Sequence, residues 1–356
     1  MNVQNLKRFD LSEDRSLRAW SAADELILQT FNELELKPTA LSLFNDRFGY
    51  LNCLLNQFNP HVVLTHKSQE VAQFSNAKAN KLNAPTWLDP IADWDIKTDM
   101  VLMKIPKSLD FFTLFLEQIS KNSTDDVKVI CGFMTRHFSP NLIKIAEEYF
   151  EVVEQSRAVK KARVLILSKK KTTTKKDLIT TITYKDQEYK QYFGVFSADH
   201  IDYATQFFMG KMELTNSEER VLDLGSGNGI IAHQILKSNP KAEIHLMDDA
   251  YLAIKSSELN LKGENIHFHF NDEFSIFKEN FFDLVVTNPP FHFEYEINIQ
   301  IAIALFRGSA GALKEGGNLQ VVANKHLNYL VHLKPLFHQV EVIGEDDKFI
   351  VYKCTK

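Results

Sequence analysis

The feature that most constrains this chain is an alternation of strand-like and helix-like segments that runs through it twice. Short apolar runs suited to buried strands occur at 40–45, 62–65, 99–106, 127–133 and 162–169, and again at 220–225, 243–248, 267–270, 283–290 and 318–324. Helical patterns separate most of them. Because successive parallel strands need a crossover connection, this order predicts largely parallel sheets with helices on both faces. At 356 residues the chain exceeds one ordinary core, so we predict two tandem α/β domains.

The predicted domain boundary lies in a polar stretch that contains a threonine tract. Residues 1–170 form the first predicted domain, 196–356 form the second, and 171–195 form a linker or an extra pair of strands. In the first domain, the pattern of 141–155 predicts a single helix. In the second domain, the helix that follows the second strand is predicted to end at Gly263.

Composition limits the compartment and the partners. The three cysteines, Cys53, Cys131 and Cys354, are far apart without CxxC spacing, which suits a reducing cytoplasm. No apolar leader or membrane-length run occurs, so we expect a cytoplasmic protein with no membrane partner. The net charge of −5 disfavours nucleic acid, but 157–176 is rich in lysine and arginine and contains no acid. That segment is either a solvated strand edge, which composition alone favours, or a phosphate-facing patch.

A glycine-rich turn follows the first predicted strand of the second domain. It reads Asp-Leu-Gly-Ser-Gly-Asn-Gly from Asp223, and Ile230 stands where a dinucleotide-binding GxGxxG turn has its third glycine. The observed GxGxG, led by an acid, is typical of turns that bind S-adenosylmethionine. Gly225 and Gly227 would let the main chain lie against the methionine part of this cofactor, and Asp223 would hold its ammonium group. Asn228, within the turn, is predicted to contact the cofactor as well.

Acidic residues follow the next two predicted strands. Asp248 ends the second strand, where a carboxylate can accept hydrogen bonds from both hydroxyls of a ribose. Asp272 follows the third strand together with Asn271, where an acid or an amide could bind the adenine amino group. Each acid could instead cap the next helix. We predict cofactor contacts for Asp248 and Asp272.

The most specific motif is Asn288-Pro289-Pro290-Phe291, which ends the fourth predicted strand. Two consecutive prolines form a stiff, extended corner without N–H donors. The Asn288 side-chain oxygen and the Pro289 carbonyl could each accept one N–H bond of a flat, conjugated amino group, whose delocalised lone pair is a poor nucleophile. Those bonds would direct the lone pair at a methyl group, and Phe291 would stack on the planar substrate. The motif therefore predicts methyl transfer to such an amino group without a strong general base.

Other catalytic arrangements are set aside. His267 and His269 alternate along one strand, but no cysteine or carboxylate accompanies them in the sequence, so we expect hydrogen-bonded histidines and no metal site. Ser226 lies outside a GxSxG nucleophile elbow, and the chain has no GKS or GKT phosphate-binding loop.

Several longer motifs resemble one family, the bacterial ribosomal RNA guanine-N2 methyltransferases. In the second half these are 195–197, Ile201-Asp202, 223–229, 288–292, 322–329 and 348–353; in the first half, 19–25, 44–49, 104–107 and 160–163 resemble the large-subunit branch of the family. The likeness thus covers nearly the whole chain. It departs at Ala204, where the family has glycine, and at Ser226, where cysteine is common.

This resemblance implies two tandem Rossmann-like, class I S-adenosylmethionine-dependent methyltransferase domains. The C-terminal copy would be catalytic, and the N-terminal copy would be degenerate and would position RNA. The substrate would be the exocyclic N2 of one guanosine in 23S rRNA, on protein-free RNA, and we expect a monomer without a metal. The cofactor contacts and the Asn288–Phe291 corner keep the roles given above. Predicted RNA contacts are Lys160, Lys161, Arg163 and Lys325.

Three alternatives remain. The protein could methylate 16S rather than 23S rRNA. It could be a protein glutamine-N5 methyltransferase, because a side-chain amide has a similarly flattened nitrogen and the net charge of −5 mildly favours a protein substrate. It could also be a binding module in which both copies are inactive, although the intact Asp223, Asp248 and Asn288 argue against this.

Overall fold

The computed structural model divides into two compact units, Met1–Leu178 and Ile179–Lys356. It describes residues 6–8, 17–215, 217–290, 292–293, 296–297 and 299–356. Within these stretches, every helix is too short or too polar to cross a lipid bilayer.

In its described residues, the first unit has a seven-stranded sheet and five α-helices. Its strands are β1 (Leu41–Phe44), β2 (His61–Val63), β3 (Thr86–Leu88), β4 (Thr98–Lys104), β5 (Ser123–Met134), β6 (Phe150–Gln155) and β7 (Ala162–Lys170). Its helices are α1 (Ala22–Glu33), α2 (Tyr50–Leu54), α3 (Lys67–Ala79), α4 (Leu109–Asn122) and α5 (Pro140–Tyr149).

The second unit repeats this plan and adds two short hairpins. Its strands are β8 (Ile179–Tyr184), β9 (Gln187–Tyr192), β10 (Arg220–Leu224), β11 (Glu243–Asp248), β12 (Ile266–Phe270), β13 (Phe282–Thr287), β14 (His292–Phe293), β15 (Glu296–Ile297), β16 (Leu313–Asn324), β17 (Gln339–Glu345) and β18 (Phe349–Thr355). Its helices are α6 (Tyr203–Met209), α7 (Ile230–Ser238), α8 (Tyr251–Asn260), α9 (Gln300–Ala312) and α10 (Leu330–Leu333).

The two large sheets have the same topology. The first sheet runs β3-β2-β1-β4-β5-β7-β6, and the second runs β12-β11-β10-β13-β16-β18-β17. In each sheet the first five strands are parallel, the sixth pairs antiparallel with the fifth, and the edge strand pairs antiparallel with the sixth. Strand order reverses between β1 and β4, and correspondingly between β10 and β13. The predicted α/β class with two Rossmann-like sheets is confirmed.

The core of the second unit lies on both faces of its sheet. Val221 and Val286 belong to a cluster that includes residues of α6, α7 and the β8–β9 hairpin, whereas Leu222 and Val285 belong to one that includes α9 and α10. Neighbouring residues of one strand therefore pack into clusters on opposite faces of the sheet, because side chains along a strand alternate between the two faces. Burial on both faces explains why these strands read as continuous apolar runs in the sequence.

Two local features differ from the sequence-based expectations, and a third agrees with one of two stated alternatives. The helix predicted over 141–155 ends at Tyr149, and the residues after it form the strand β6, which pairs antiparallel with β7. Within 171–195, expected to be a linker or a strand pair, residues 179–192 contain the β8–β9 hairpin. Helix α8 ends at Asn260 rather than at Gly263.

Candidate active site

The glycine-rich turn and the Asn-Pro-Pro corner lie side by side at one edge of the second sheet. Leu224 and Thr287 are register partners at the carboxyl ends of β10 and β13, and Thr287 Oγ1 donates a hydrogen bond to the Leu224 carbonyl at 2.8 Å. Gly225 and Asn288 are the next residues on these two strands. The site thus lies where the strand order reverses, the usual ligand-binding position in such sheets.

The glycines of the turn have two different functions. Gly225, Gly227 and Gly229 have φ values of +72°, +57° and +81°, a region that side chains rarely adopt. A Cβ atom at Gly225 or Gly227 would meet nothing within 4 Å, so the main chain there is bare. At Gly229 a Cβ atom would lie 2.9 Å from Leu261 Cδ1. The first two glycines therefore expose backbone to a ligand, and the third permits close packing.

Asp223 is buried beneath the turn with half of its carboxylate unsatisfied. Its Oδ2 accepts a hydrogen bond from the Ala232 amide at 3.0 Å, while its Oδ1 has no partner among the described residues. The buried Ser226 Oγ also has no hydrogen-bond partner within that part of the chain. Burial raises the pKa of Asp223 to about 8. Unsatisfied buried polar atoms are costly, and these two next to bare backbone fit a ligand with an ammonium group, as S-adenosylmethionine has.

Asp248 is held by main-chain donors at the end of β11. Its carboxylate accepts hydrogen bonds from the Gly227 amide at 3.0 Å and from the Ala250 amide at 2.8 Å. Burial raises the pKa of Asp248 to about 6, against the lowering effect of these two hydrogen bonds. A carboxylate has four acceptor sites, so it can hold the turn and still bind hydroxyl groups. The contact with the Ala250 amide, at the start of α8, agrees with the capping alternative considered for this acid, and the ribose contact stays a prediction.

Asp272 lies half-buried after β12, at the same edge of the sheet. Its backbone amide and that of Glu273 donate hydrogen bonds to Asn271 Oδ1, at 2.9 Å and 3.1 Å. The Asn271 amide oxygen therefore shapes the local turn. Of the Asn271–Asp272 pair, Asp272 is the better candidate for contact with a ligand.

Asn228 is engaged within the unit. Its Nδ2 donates to Gln191 Oε1 at 2.9 Å, and its Oδ1 accepts from the Ile230 amide at 3.3 Å. Gln191 is a buried residue of β9, and its own Nε2 donates to the Ser197 carbonyl at 3.3 Å. The hydrogen bonds of Asn228 thus join the β8–β9 hairpin to the glycine-rich turn, and its contact with a cofactor stays a prediction.

The side chain of Asn288 is oriented by two residues at the start of α6. Its Nδ2 donates to Asp202 Oδ2 at 3.1 Å and to Thr205 Oγ1 at 2.9 Å. A carboxylate only accepts hydrogen bonds, so the NH₂ group must face Asp202, and Oδ1 remains as the acceptor atom of the side chain. Pro289 is buried and Pro290 is exposed. Phe291 lies outside the described residues.

Asp202, Thr205 and Gln191 were not among the predicted site residues. Asp202 caps α6, because its Oδ2 accepts a hydrogen bond from the Thr205 amide at 3.2 Å. An aspartate just before an apolar helical segment is a recognisable sequence signal for a helix start. Its contact with Asn288, 86 positions away, is set by tertiary structure. Gln191 lies in the segment expected to be a linker and has no motif around it.

Two exposed aromatic side chains lie in the segment that precedes and begins α6. Phe196 is 70% exposed and Tyr203 is 62% exposed, and the Tyr203 ring lies 4.8 Å from that of His200. Tyr203 directly follows Asp202, which binds Asn288. Exposed aromatic rings of this kind are suited to base stacking.

Comparison with known proteins identifies the family. Residues 2–174 match the family described as RLMG N-terminal domain, and residues 187–353 match the family described as Methyltransferase small domain. The chain is 31% identical to the ribosomal RNA large subunit methyltransferase G of Pseudoalteromonas translucida (strain TAC 125), over 99% of this chain and 95% of the relative. The chain belongs to the ribosomal RNA large subunit methyltransferase G family. The family resemblance inferred from the sequence is confirmed.

A solved structure agrees with the fold of this family member along its length. The 16S rRNA N2 methyltransferase of T. thermophilus, solved in complex with AdoMet and guanosine, superposes with a TM-score of 0.76 at 20% identity. The superposition covers 94% of this chain and 92% of that one. It supports the tandem methyltransferase-like architecture.

The predicted RNA contacts of this family member differ in their surroundings. Lys160 Nζ pairs with Glu25 at 2.9 Å, and Arg163 donates to Gln155 Oε1 at 3.0 Å, while Lys161 is exposed. These three residues belong to the first unit. Lys325 follows β16 in the second unit, and its Nζ lies 2.5 Å from Glu345 Oε1.

Much of the basic segment 157–176 is bound within the first unit. The Lys170 side chain is only 10% exposed, and its Nζ donates to the Ser123 carbonyl at 2.9 Å and lies 3.5 Å from Asp125. Lys171 donates to the Glu147 carbonyl, and Lys176 pairs with Glu148. These lysines have structural contacts, so the phosphate-facing reading applies best to the turn around Lys161.

Proposed function

We propose that the protein transfers a methyl group from S-adenosylmethionine to the exocyclic N2 of a guanosine in 23S rRNA. The orientation of the Asn288 amide carries this proposal, because Asp202 and Thr205 take its NH₂ group and leave Oδ1 to accept from a substrate amine. The name of the Pseudoalteromonas relative, a large subunit rRNA methyltransferase, supports the substrate class.

The cofactor would be held by the turn and the acids around it. Gly225 and Gly227 offer bare backbone to the methionine part, Asp223 offers its unsatisfied Oδ1 to the ammonium group, and Asp248 offers acceptor sites to the ribose. Asp272 would bind at the adenine. When bound, S-adenosylmethionine would supply an electrophilic methyl group on a positively charged sulfur.

The corner would prepare the substrate nitrogen. Asn288 Oδ1 and the Pro289 carbonyl each accept a hydrogen bond from the guanine amino group. These hydrogen bonds reduce the conjugation of the nitrogen lone pair with the ring and direct that lone pair at the methyl group. The main gain comes from alignment in a desolvated site, so no strong base is required. Phe291, with Phe196 and Tyr203, would stack on the guanine or its neighbours once the base has left its helix.

The wider context of the proposal follows from the substrate. The N-terminal unit would position RNA, with Lys160, Lys161 and Arg163 near phosphates, and Lys325 would contact RNA near the site. We propose that a monomer acts in the cytoplasm on protein-free rRNA, whose bases are accessible.

Labelled methyl transfer tests the substrate. The purified chain and labelled S-adenosylmethionine are incubated in three separate reactions. One contains unmodified 23S rRNA, one contains unmodified 16S rRNA, and one contains release factor protein. We expect label only in 23S rRNA, at the N2 of one guanosine by nucleoside analysis. Label in 16S rRNA or in a glutamine of the protein would mean that this molecule is the substrate instead of 23S rRNA. Label in none of the three would favour a non-catalytic binding module.

Substitution of Asn288 tests the chemistry. Asn288→Ala should lower kcat by roughly 100-fold or more, the cost typical of losing one oriented polar contact in a transition state. The Kd for S-adenosylmethionine should stay within about threefold, since the residue does not hold the cofactor. The exposed Asn141→Ala variant serves as the control and should keep full activity. A normal kcat for Asn288→Ala would exclude the proposed amine contact.

A further inference from the structure

Three histidines and one glutamate cluster on one face of the second sheet, in the first half of β11 and along β12. His245 and His267 are register partners on these parallel strands. Glu243 precedes His245 by two residues, and His269 follows His267 by two, so all four side chains lie on the same face. The premise that no carboxylate accompanies His267 is wrong, because Glu243 Oε1 lies 3.4 Å from His267 Nε2.

The donor atoms of Glu243, His245 and His267 converge on one point. The three atoms all lie within 4.8 Å of one another. Glu243 Oε1 is 3.1 Å from His245 Nε2 and 3.4 Å from His267 Nε2. Ligands at about 2.0–2.2 Å from a tetrahedral zinc ion stand roughly 3.3–3.5 Å apart. Small side-chain adjustments would therefore bring all three atoms to bonding distance of one ion.

Two neighbours orient these ligands from behind. His245 Nδ1 lies 2.9 Å from His269 Nε2, so with an ion in the site it can donate its proton there and leave the Nε2 lone pair for the ion. Arg220 donates to the other carboxylate oxygen, Glu243 Oε2, at 3.3 Å. Outer partners of this kind fix the tautomer and the direction of metal-binding side chains.

The cluster is also accessible from the solvent. The side chains of Glu243 and His267 are 38% and 40% exposed, whereas that of His245 is 9% exposed. An ion can therefore enter from the solvent side.

We propose that Glu243, His245 and His267 bind one divalent first-row transition metal ion, best matched by zinc, which clamps β12 to β11. Two histidines and one carboxylate are a known ligand set for zinc, with water in the fourth position. Asp248 lies five residues beyond Glu243, roughly 16 Å along the strand. The ion would thus stabilise the edge of the sheet and take no part in methyl transfer.

Metal binding is measured on the untagged full-length chain after treatment with a chelator and desalting. Titration with zinc chloride should show one tight site per chain, and elemental analysis after gel filtration should return one zinc. At a free zinc concentration near 100-fold above Kd, the unfolding midpoint should rise by about 5–10 °C. A stoichiometry well below one, with an unchanged midpoint, overturns the proposal.

Matched variants assign the site. His267→Gln and Glu243→Gln keep polar side chains at half-exposed positions, and both should lower zinc affinity at least tenfold and remove the thermal shift. His338→Gln changes an exposed histidine outside the cluster and should behave as the parent chain. Cobalt(II) gives a second readout, since its visible bands should appear in the parent and vanish in His267→Gln. Equal binding by all three variants contradicts the assignment, and circular dichroism checks that each is folded.

Discussion

The turn after β1 and the turn after β10 have the same place in two sheets of the same strand order, and their backbones agree at the first and last positions. Asn45 takes the position of Gly225, with φ of 57° and 72°, and Gly49 takes the position of Gly229, with φ of 78° and 81°. Asparagine is one of the few residues other than glycine that tolerates this region. The turns differ in the middle, where Gly227 has a φ of 57° and the equivalent Arg47 has no positive φ.

Each turn is also anchored in the same manner by an asparagine of a neighbouring helix. Asn76 Nδ2, on α3, donates to the Phe48 carbonyl at 2.8 Å. Asn260 Nδ2, on α8, donates to the Asn228 carbonyl, also at 2.8 Å. Neither asparagine lies in a motif that sequence reasoning singled out. This shared anchor shows that duplication preserved the scaffold of the turn in both units.

The units differ in where the buried carboxylate comes from. In the second unit, Asp223 on the strand accepts from the Ala232 amide in the first turn of α7. In the first unit, Leu43 stands at that strand position, and Asp46 within the turn accepts the equivalent amide, that of Asn52, at 2.8 Å. The carboxylate that caps the helix is kept, but it comes from the turn itself. Asp223 accepts the helix amide from a position on the strand, so no side chain of the turn is needed for this hydrogen bond. The backbone at Gly225 and Gly227 stays exposed.

The corner after the fourth strand differs as well. Lys104 stands where Asn288 stands, and its Nζ lies 3.3 Å from the buried carboxylate of Asp24 on α1. Asn288 instead donates to Asp202 at the start of α6. A lysine is a donor only and has no acceptor to offer an amine. The first unit thus keeps the fold without a side-chain acceptor at the position of Asn288, whereas the proposed methyl transfer requires that acceptor.

Copying the first turn into the second should have the largest effect. Gly227→Arg introduces the residue found at the equivalent position, Arg47, at a φ of +57° and in open space where the cofactor is proposed to lie. We expect the Kd for S-adenosylmethionine to rise more than about 100-fold, measured by isothermal titration. The reciprocal Arg47→Gly variant should bind as the parent chain does. Similar affinities for both variants would mean that the turn does not contact the cofactor.

Loss of the residue that orients Asn288 should have the next largest effect. Asn is as good a helix cap as Asp, so Asp202→Asn should leave α6 intact. The new amide can donate as well as accept, so it no longer forces the Asn288 NH₂ group toward it. We expect kcat to fall by about 10-fold to 100-fold with cofactor affinity unchanged. In the first unit, Asp24→Asn should leave kcat unchanged, and an equal loss in both would indicate a general folding defect.

The alternation of strands and helices, and the arrangement of the turn and corner, could be predicted because they depend on local patterns. Strands buried on both faces read as apolar runs, and the parallel order then brings Gly225 and Asn288 to one edge. Strand β6 was missed because its polar, helix-compatible sequence becomes a strand only through pairing with β7. Tertiary pairing overrides local propensity at such an edge.

Contacts between distant segments could not be predicted. Asp202 with Asn288, and Gln191 with Asn228, join residues that the sequence separates widely, and neither pair has a diagnostic spacing. The same is true of Glu243 with His267, which meet only because β11 and β12 pair in one register. A one-residue shift of that register would send the side chains to opposite faces.

The two buried carboxylates should differ in their effect on pH dependence. Burial raises the pKa of Asp223 to about 8 and that of Asp46 to about 7. When the pKa of a carboxyl group is higher in the folded state than in the unfolded state, the free energy of unfolding falls as the pH rises from the ordinary pKa to the raised pKa. The proposed ammonium group favours ionised Asp223, so cofactor affinity should increase up to about tenfold between about pH 6 and pH 7. Titration calorimetry should show that Asp223→Asn removes this increase, whereas Asp46→Asn keeps it. A cofactor affinity that does not change with pH in the parent chain would mean that Asp223 does not bind the ammonium group.

The smallest effect concerns the two anchoring asparagines. Asn260→Ala and Asn76→Ala each remove a donor to a turn carbonyl, which should cost about 1–3 kcal/mol in the free energy of unfolding of the respective unit. Only Asn260 supports the turn proposed to bind the cofactor, so only Asn260→Ala should raise the Kd for S-adenosylmethionine, by roughly threefold. Denaturant unfolding monitored with and without cofactor measures both quantities. If Asn76→Ala weakened cofactor binding equally, the first unit would contribute to the cofactor site, and the functional division between the two turns would have to be abandoned.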